Sequence, residues 1–208
     1  MKAGIQIGIL CLQGDFAAHG RALERLGAGW RDVRRALDLD GLRGLVLPGG
    51  ESTTMWHFLR AGGLDETLRR FAAAGGALYG TCAGAILLAR EVLNPTSEGL
   101  GLLDITVERN SYGRQVESSV RQAETDDPRA PRLDAVLIRA PRILRIGPGV
   151  RVRARLDGDP VWVEQGRTSA TTFHPELGED LRPHRRFLDL AASAPAYAAP
   201  PLGDRAAS

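Results

Sequence analysis

Cys82 stands in Gly80-Thr81-Cys82-Ala83-Gly84, between an apolar run and a run with helical spacing. Gly76-Ala77-Leu78-Tyr79 reads as a short buried strand, and the residues from Ala83 to Ala89 read as a helix start. A G-x-C-x-G between the two has the form of a nucleophile elbow, in which small neighbours tolerate a sharp strand-to-helix turn. Such a turn holds the sulfur at a helix N-terminus, where unpaired N–H groups and the helix dipole favour thiolate over thiol. The same five residues also suit a packed core cysteine between two glycines, and the pentapeptide alone does not choose.

A cysteine nucleophile needs a base, and the base needs an orienting group. Of the four histidines, only His174 has a carboxylate at a telling spacing, in Thr172-Phe173-His174-Pro175-Glu176. If a strand continues through this segment, residues two apart share a side. Glu176 then accepts from one ring nitrogen of His174 while the other faces Cys82. Taken alone, H-x-E reads more readily as an ordinary strand-end turn with an incidental histidine. His19 and His57 fall in helical patterns and His184 in the basic stretch from Arg182 to Arg186, so all three are expected at the surface. Cys11 ends an apolar strand and is expected to be an inert core thiol. Acyl transfer also needs donors for a developing oxyanion. The Ala83 N–H follows the nucleophile, and Pro48-Gly49-Gly50-Glu51-Ser52, after the Leu45–Leu47 run, offers a second donor loop; by itself it is also a tight turn with Ser52 as a helix cap.

The elements that must position these groups alternate in the first half of the chain. Strands are expected at Ile5 to Leu10, around Val33 and at Gly44 to Leu47, and helices at Phe16 to Leu26, Thr53 to Arg60 and Asp65 to Ala73. Short apolar strands separated by helices imply an α/β fold: a three-layer α/β/α sandwich around a mostly parallel sheet. In such sheets ligands bind at the carboxyl ends of strands, where all three segments fall. The second half changes to shorter strands at Asp104 to Arg109, Gln115 to Arg121, Ala135 to Ile138, Ile143 to Ile146, Val150 to Leu156, Pro160 to Gln165 and Thr168 to Phe173. Strict alternation from Val150 to Leu156 puts its arginines on one face, read as a solvated strand face rather than a nucleic-acid strip. A last helix is expected at His184 to Ala192, ending a single domain over residues 1–192. The Ala- and Pro-rich residues 193–208 are expected to be a loosely ordered tail.

A length of 208 residues suits one well-buried domain, and a net charge of +2 gives no reason to expect a nucleic-acid or membrane partner. Two cysteines make no disulfide framework, and no Cys/His spacing suggests a metal site. The start of the chain lacks the pattern of a signal peptide, and no run is long enough to span a bilayer, so a cytoplasmic protein is expected.

Together the segments resemble the class I, triad-type glutamine amidotransferases, and among them the glutaminase subunits of pyridoxal 5′-phosphate synthase. The matching stretches are Leu12-Gln13-Gly14, Leu47-Pro48-Gly49-Gly50-Glu51-Ser52-Thr53-Thr54-Met55, the Cys82 elbow, Gly101-Leu102-Leu103-Asp104, Val107 to Gln115, Ile138-Arg139-Ala140-Pro141, and Phe173 to Leu177. The elbow and H-P-E are shared by many amidotransferases, whereas P-G-G-E-S-T-T-M and E-R-N-S-Y-G-R-Q are far more specific. The stretch from Trp30 to Leu39 matches poorly, and Cys11 replaces a commonly small residue.

The resemblance implies a flavodoxin-like fold and a glutaminase with Cys82, His174 and Glu176 as catalytic triad. It further implies Gly50 and Ala83 as oxyanion donors, and Gly50, Glu51, Ser52, Arg109, Ile138 and Arg139 around L-glutamine. It implies no metal or organic cofactor in this chain. The implied partner is a (β/α)₈ barrel synthase subunit that takes the ammonia, in an assembly with a dodecamer of each subunit. Rival readings are an amidotransferase serving a different acceptor, a non-catalytic regulatory subunit of the same fold and, less well supported, a cysteine peptidase.

Overall fold

The computed structural model describes residues 6–109 and 119–200. The first half carries β1 (Ile7–Leu10), α1 (Phe16–Arg25), β2 (Trp30–Val33), β3 (Gly44–Leu47), α2 (Ser52–Ala61), α3 (Leu64–Ala73), β4 (Ala77–Thr81) and α4 (Ala83–Leu88). There follow β5 (Ala89–Leu93), β6 (Leu103–Glu108), β7 (Ser119–Thr125), β8 (Arg132–Leu137), β9 (Arg142–Ile146), β10 (Arg151–Leu156), β11 (Asp159–Gln165), β12 (Thr168–Thr171) and α5 (Arg182–Ala192). Single 3₁₀ turns occupy Ala36–Leu39 and Pro175–Leu177.

The main sheet has the order β2-β1-β3-β4-β12-β11-β10-β7-β8. Its first five strands run parallel, and every pairing beyond β12 is antiparallel. The sheet is therefore parallel through its first half and antiparallel through its second, because the short strands of the second half are joined by turns and not by crossover helices. A small separate sheet, β5-β6-β9, flanks it.

Alternation along the parallel strands builds the three layers. Ile7, Ile9, Val46, Ala77 and Tyr79 face a core closed by Leu23 of α1 and Phe187, Leu190 and Ala191 of α5. Their neighbours Leu10, Leu45, Leu47 and Leu78 face the opposite core, with Met55 and Leu59 of α2, Leu68 and Phe71 of α3, and Leu87 and Leu88 of α4. Strands buried on both faces explain the continuous apolar runs.

Four expectations need correction. The helix after the elbow stops at Leu88, and Ala89–Leu93 pairs with β6 as an unforeseen strand. The strand expected at Gln115 to Arg121 lies at Ser119–Thr125, residues 115–118 being outside the described residues. The strict alternation at Arg151–Leu156 is broken by bulges against β11, so Arg153 turns over the Trp162 ring at 5.6 Å and pairs with Asp126. Residues 194–200, expected to be loose, are docked: Tyr197 is buried against Phe71, its N–H bonds Leu42 O, and its carbonyl accepts from Gly41 N–H.

Candidate active site

Local geometry makes the elbow. Cys82 has φ 48°, ψ −102°, a left-handed conformation that a non-glycine residue rarely adopts, and it caps the N-terminus of α4. The flanking glycines permit it by close approach. A Cβ on Gly80 would meet the Gly84 carbonyl carbon at 2.5 Å, and one on Gly84 would run into the Leu47 carbonyl oxygen of β3. Both obstacles are backbone. The Cys82 N–H donates to Thr171 O at 2.8 Å, tying the elbow to the end of β12.

β12 lies parallel to β4 with Thr171 opposite Thr81, so the residues after each strand emerge side by side. This brings His174 to Cys82. The His174 N–H is held by Val136 O at 2.9 Å, and its ring Nδ1 lies 2.7 Å from Glu176 Oε1, leaving Nε2 for the Cys82 side of the site. The strand, however, ends at Thr171, and His174 caps the 3₁₀ turn Pro175–Leu177. Helical winding, not the two-residue repeat of a strand, folds Glu176 back onto His174. Gly49 lies against this pair: a Cβ there would collide with the His174 ring and reach the Cys82 Cβ at 3.5 Å.

Burial sets the electrostatics. It opposes charge on His174, but hydrogen bonds and charge from Cys82 and Glu176 outweigh that and push the imidazole up to about 10. Burial likewise opposes charge on Glu176, yet the facing His19 and the bond to His174 hold its carboxyl below the usual range. His174 is thereby favoured as an imidazolium beside an ionised carboxylate.

Cys82, Ala83 and His174 open onto a cavity of about 280 Å³. Gly50, Glu51, Ser52, Arg109, Ile138 and Arg139 all line it. Arg109 Nη2 donates to Thr53 Oγ1 at 2.9 Å and lies 3.4 Å from Glu51 Oε1, an anchored cation at the cavity wall. Its motif neighbours Asn110 to Gln115 lie outside the described residues. Arg139 has a left-handed φ of 44°, and Ile138 O faces the Cys82 sulfur at 3.9 Å. The cap of α2 is Glu51, whose carboxylate accepts from the Thr53 and Thr54 N–H groups, and not Ser52.

Sequence reasoning missed four residues here. Gln13 and Ile86 also line the cavity, and Gln13 Oε1 accepts the Glu51 N–H at 2.7 Å, fixing the glycine loop. His19 and His184, expected at the surface, are both wholly buried behind Glu176. A signal existed: His19 precedes Leu23 by one helical turn, and His184 shares the spacing of Phe187 and Ala191, so both lie on apolar stripes. His57 is exposed. Among the described residues no cluster of His, Cys, Asp or Glu is placed to hold a metal ion, and no helix is long and apolar enough to cross a membrane.

The model of the SNO glutamine amidotransferase family matches residues 9–192. The chain belongs to that family. Pyridoxal 5′-phosphate synthase subunit PdxT of Deinococcus radiodurans is 56% identical over 190 residues, 89% of this chain and 96% of that protein. The subunit of the same name from one strain of Thermus thermophilus is 52% identical over 187 residues, 89% and 97% of the two chains. A crystal structure of a glutamine amidotransferase matches with a TM-score of 0.85 at 47% identity, covering 91% of this chain and all (100%) of that one. The fold is that of the glutamine amidotransferases, α/β with helices on both sides of the sheet.

Proposed function

We propose that this chain is the glutaminase subunit of a pyridoxal 5′-phosphate synthase, and that its reaction runs through Cys82, His174 and Glu176. The observation that carries the reading is the juncture of a strained cysteine elbow, a His174–Glu176 pair and a cavity walled by Arg109. L-Glutamine enters with its α-carboxylate toward the Arg109 guanidinium, whose planar fork suits a carboxylate. The Cys82 sulfur attacks the side-chain amide carbon, forming a C–S bond. The oxyanion is held by the Ala83 N–H and the Gly50 N–H of the glycine loop. As the C–N bond breaks, His174 gives its Nε2 proton to the departing ammonia. Water then attacks the γ-glutamyl thioester, its proton passing to His174, and the C–S bond breaks to release glutamate. Glu176 keeps Nδ1 protonated throughout, so that Nε2 does the exchange.

The ammonia goes to a barrel-type synthase subunit in the same assembly, a dodecamer of each subunit in the cytoplasm, and no cofactor is held by this chain. The test is glutamate release from L-glutamine, with and without the synthase subunit, by wild type and Cys82→Ala. Release that needs Cys82 and rises with the synthase supports the reading; release untouched by Cys82→Ala overturns it.

A further inference from the structure

Behind the triad lies a second pair of imidazoles that the mechanism so far leaves unused. His19 of α1 and His184 of α5 are each 0% exposed, although an imidazole is seldom buried without a purpose for its polar atoms. His19 Nδ1 is 2.9 Å from His184 Nε2. His19 Nε2 is 3.1 Å from Thr81 Oγ1 and 3.5 Å from Glu176 Oε1. Thr81 is the residue immediately before the nucleophile, so one ring touches both the elbow and the triad carboxylate.

The proton positions follow from which atom has no partner. His184 Nδ1 is buried and unpaired. An unpaired buried N–H is rarer in folded proteins than an unused acceptor, so the proton of His184 sits on Nε2 and is donated to His19 Nδ1. His19 then carries its own proton on Nε2, aimed at Thr81 Oγ1 and the Glu176 carboxylate. Burial holds both imidazoles below their ordinary pKa, His184 to about 3, so at neutral pH they are donors and not cations. The titratable groups around His19 are Glu176, His174, His184 and Asp15. Glu176 needs this support: its Oε2 is buried without a hydrogen-bond partner, which leaves Oε1 to face both His174 and His19.

The geometry points to His19, set in its tautomer by His184, as a positioning residue that holds Glu176 ionised and oriented toward His174 and ties that carboxylate to the elbow. The row His184–His19–Glu176–His174 then converges on one carboxylate: His184 donates to His19 and His19 to Glu176 from the α5 side of the sheet, and His174 donates to Glu176 from the cavity side. This rests on the triad reading above.

Two measurements on the full-length chain decide it. In ¹⁵N-histidine spectra at pH 7, both His19 and His184 give the neutral Nε2–H pattern; protonation of His19 on both nitrogens, or on Nδ1 alone, overturns the proposal. In glutaminase assays with the synthase subunit present, His19→Leu lowers kcat roughly ten- to hundredfold with KM unchanged. His19→Gln, whose amide N–H reaches the place of Nε2–H, restores most of it. A folded His19→Leu with kcat near wild type, or a glutamine variant no better than leucine, also overturns it. Should His19→Leu fail to fold, the spectra of the unaltered chain still decide. Glutaminase activity indifferent to Cys82→Ala would sink the triad reading and leave the spectral result separate.

Discussion

The two cysteines sit at equivalent places, each just past the carboxyl end of a central parallel strand, yet their surroundings are opposite. Cys11 follows β1 with ordinary backbone, is 2% exposed, and its thiol donates to Ile9 O at 3.2 Å. Burial, with Asp32 close by, pushes that thiol up to about 11. Cys82 follows β4 through a left-handed turn, is 8% exposed, lines the cavity and meets His174. A strand end in an α/β sheet is thus not by itself a reactive place. The turn aims one sulfur into the cavity and the neighbouring strand delivers an imidazole beside it, a setting that suits a nucleophile, whereas the other thiol is packed in the core.

The largest expected difference between the two is in turnover. Cys82→Ala removes glutaminase activity by ~10⁶-fold, as for a lost nucleophile, whereas Cys11→Ala leaves it within about twofold. A glutamine-like electrophile at pH 7 labels Cys82 alone, as peptide mass spectrometry will read; labelling of Cys11 instead would erase the contrast. Next comes the orienting carboxylate. Glu176→Gln permits the wrong His174 tautomer and lowers kcat by ~10⁴-fold, less than loss of the nucleophile. Equal losses in the two variants would give Glu176 a larger part than orientation.

The elbow's backbone provides a smaller contrast, read by chemical denaturation. Gly84→Ala drives a methyl into the Leu47 carbonyl and is expected to cost about 3 kcal/mol or more, with activity lost as the turn opens. Gly8→Ala in β1 meets the Leu42 and Val33 side chains, which can shift, and is expected to cost about 1–2 kcal/mol with activity kept. The smallest effect is a titration. Because Cys82 helps push His174 up to about 10, Cys82→Ala moves the His174 midpoint, followed by NMR, down toward 6.5, and Cys11→Ala does not. The sign for stability follows: His174 stabilises the fold fully below 6.5, and that contribution is lost as pH rises through about 10.

Much of this was legible in the chain because its periods are local. The parallel strands read as short apolar runs, α1 to α3 and α5 fell within a few residues of their expected ends, and the carriers of chemistry stood in compact motifs. The less legible parts share a cause. β5 needs pairing with β6, and β7 with β8, before their residues become strands. The residues 194–200 look loose in composition but find an apolar seat for Tyr197. His19 and His184 were misplaced because a histidine on a helix is polar by type, and only packing supplies the partners that let it be buried.

By itself, then, the sequence determined the elbow, the H-P-E segment, the glycine loop and the fold class, since each depends on residue type and spacing within one short stretch. Only the tertiary structure decided which cysteine faces the cavity beside His174 and which histidines are buried behind that pair. Pairing β12 against β4 sets His174 beside Cys82, a 3₁₀ turn closes Glu176 onto it, and two helices on the far face bring His19 and His184 behind. Those neighbours are far apart along the chain, and their protonation is governed by burial and distance, which no local pattern records.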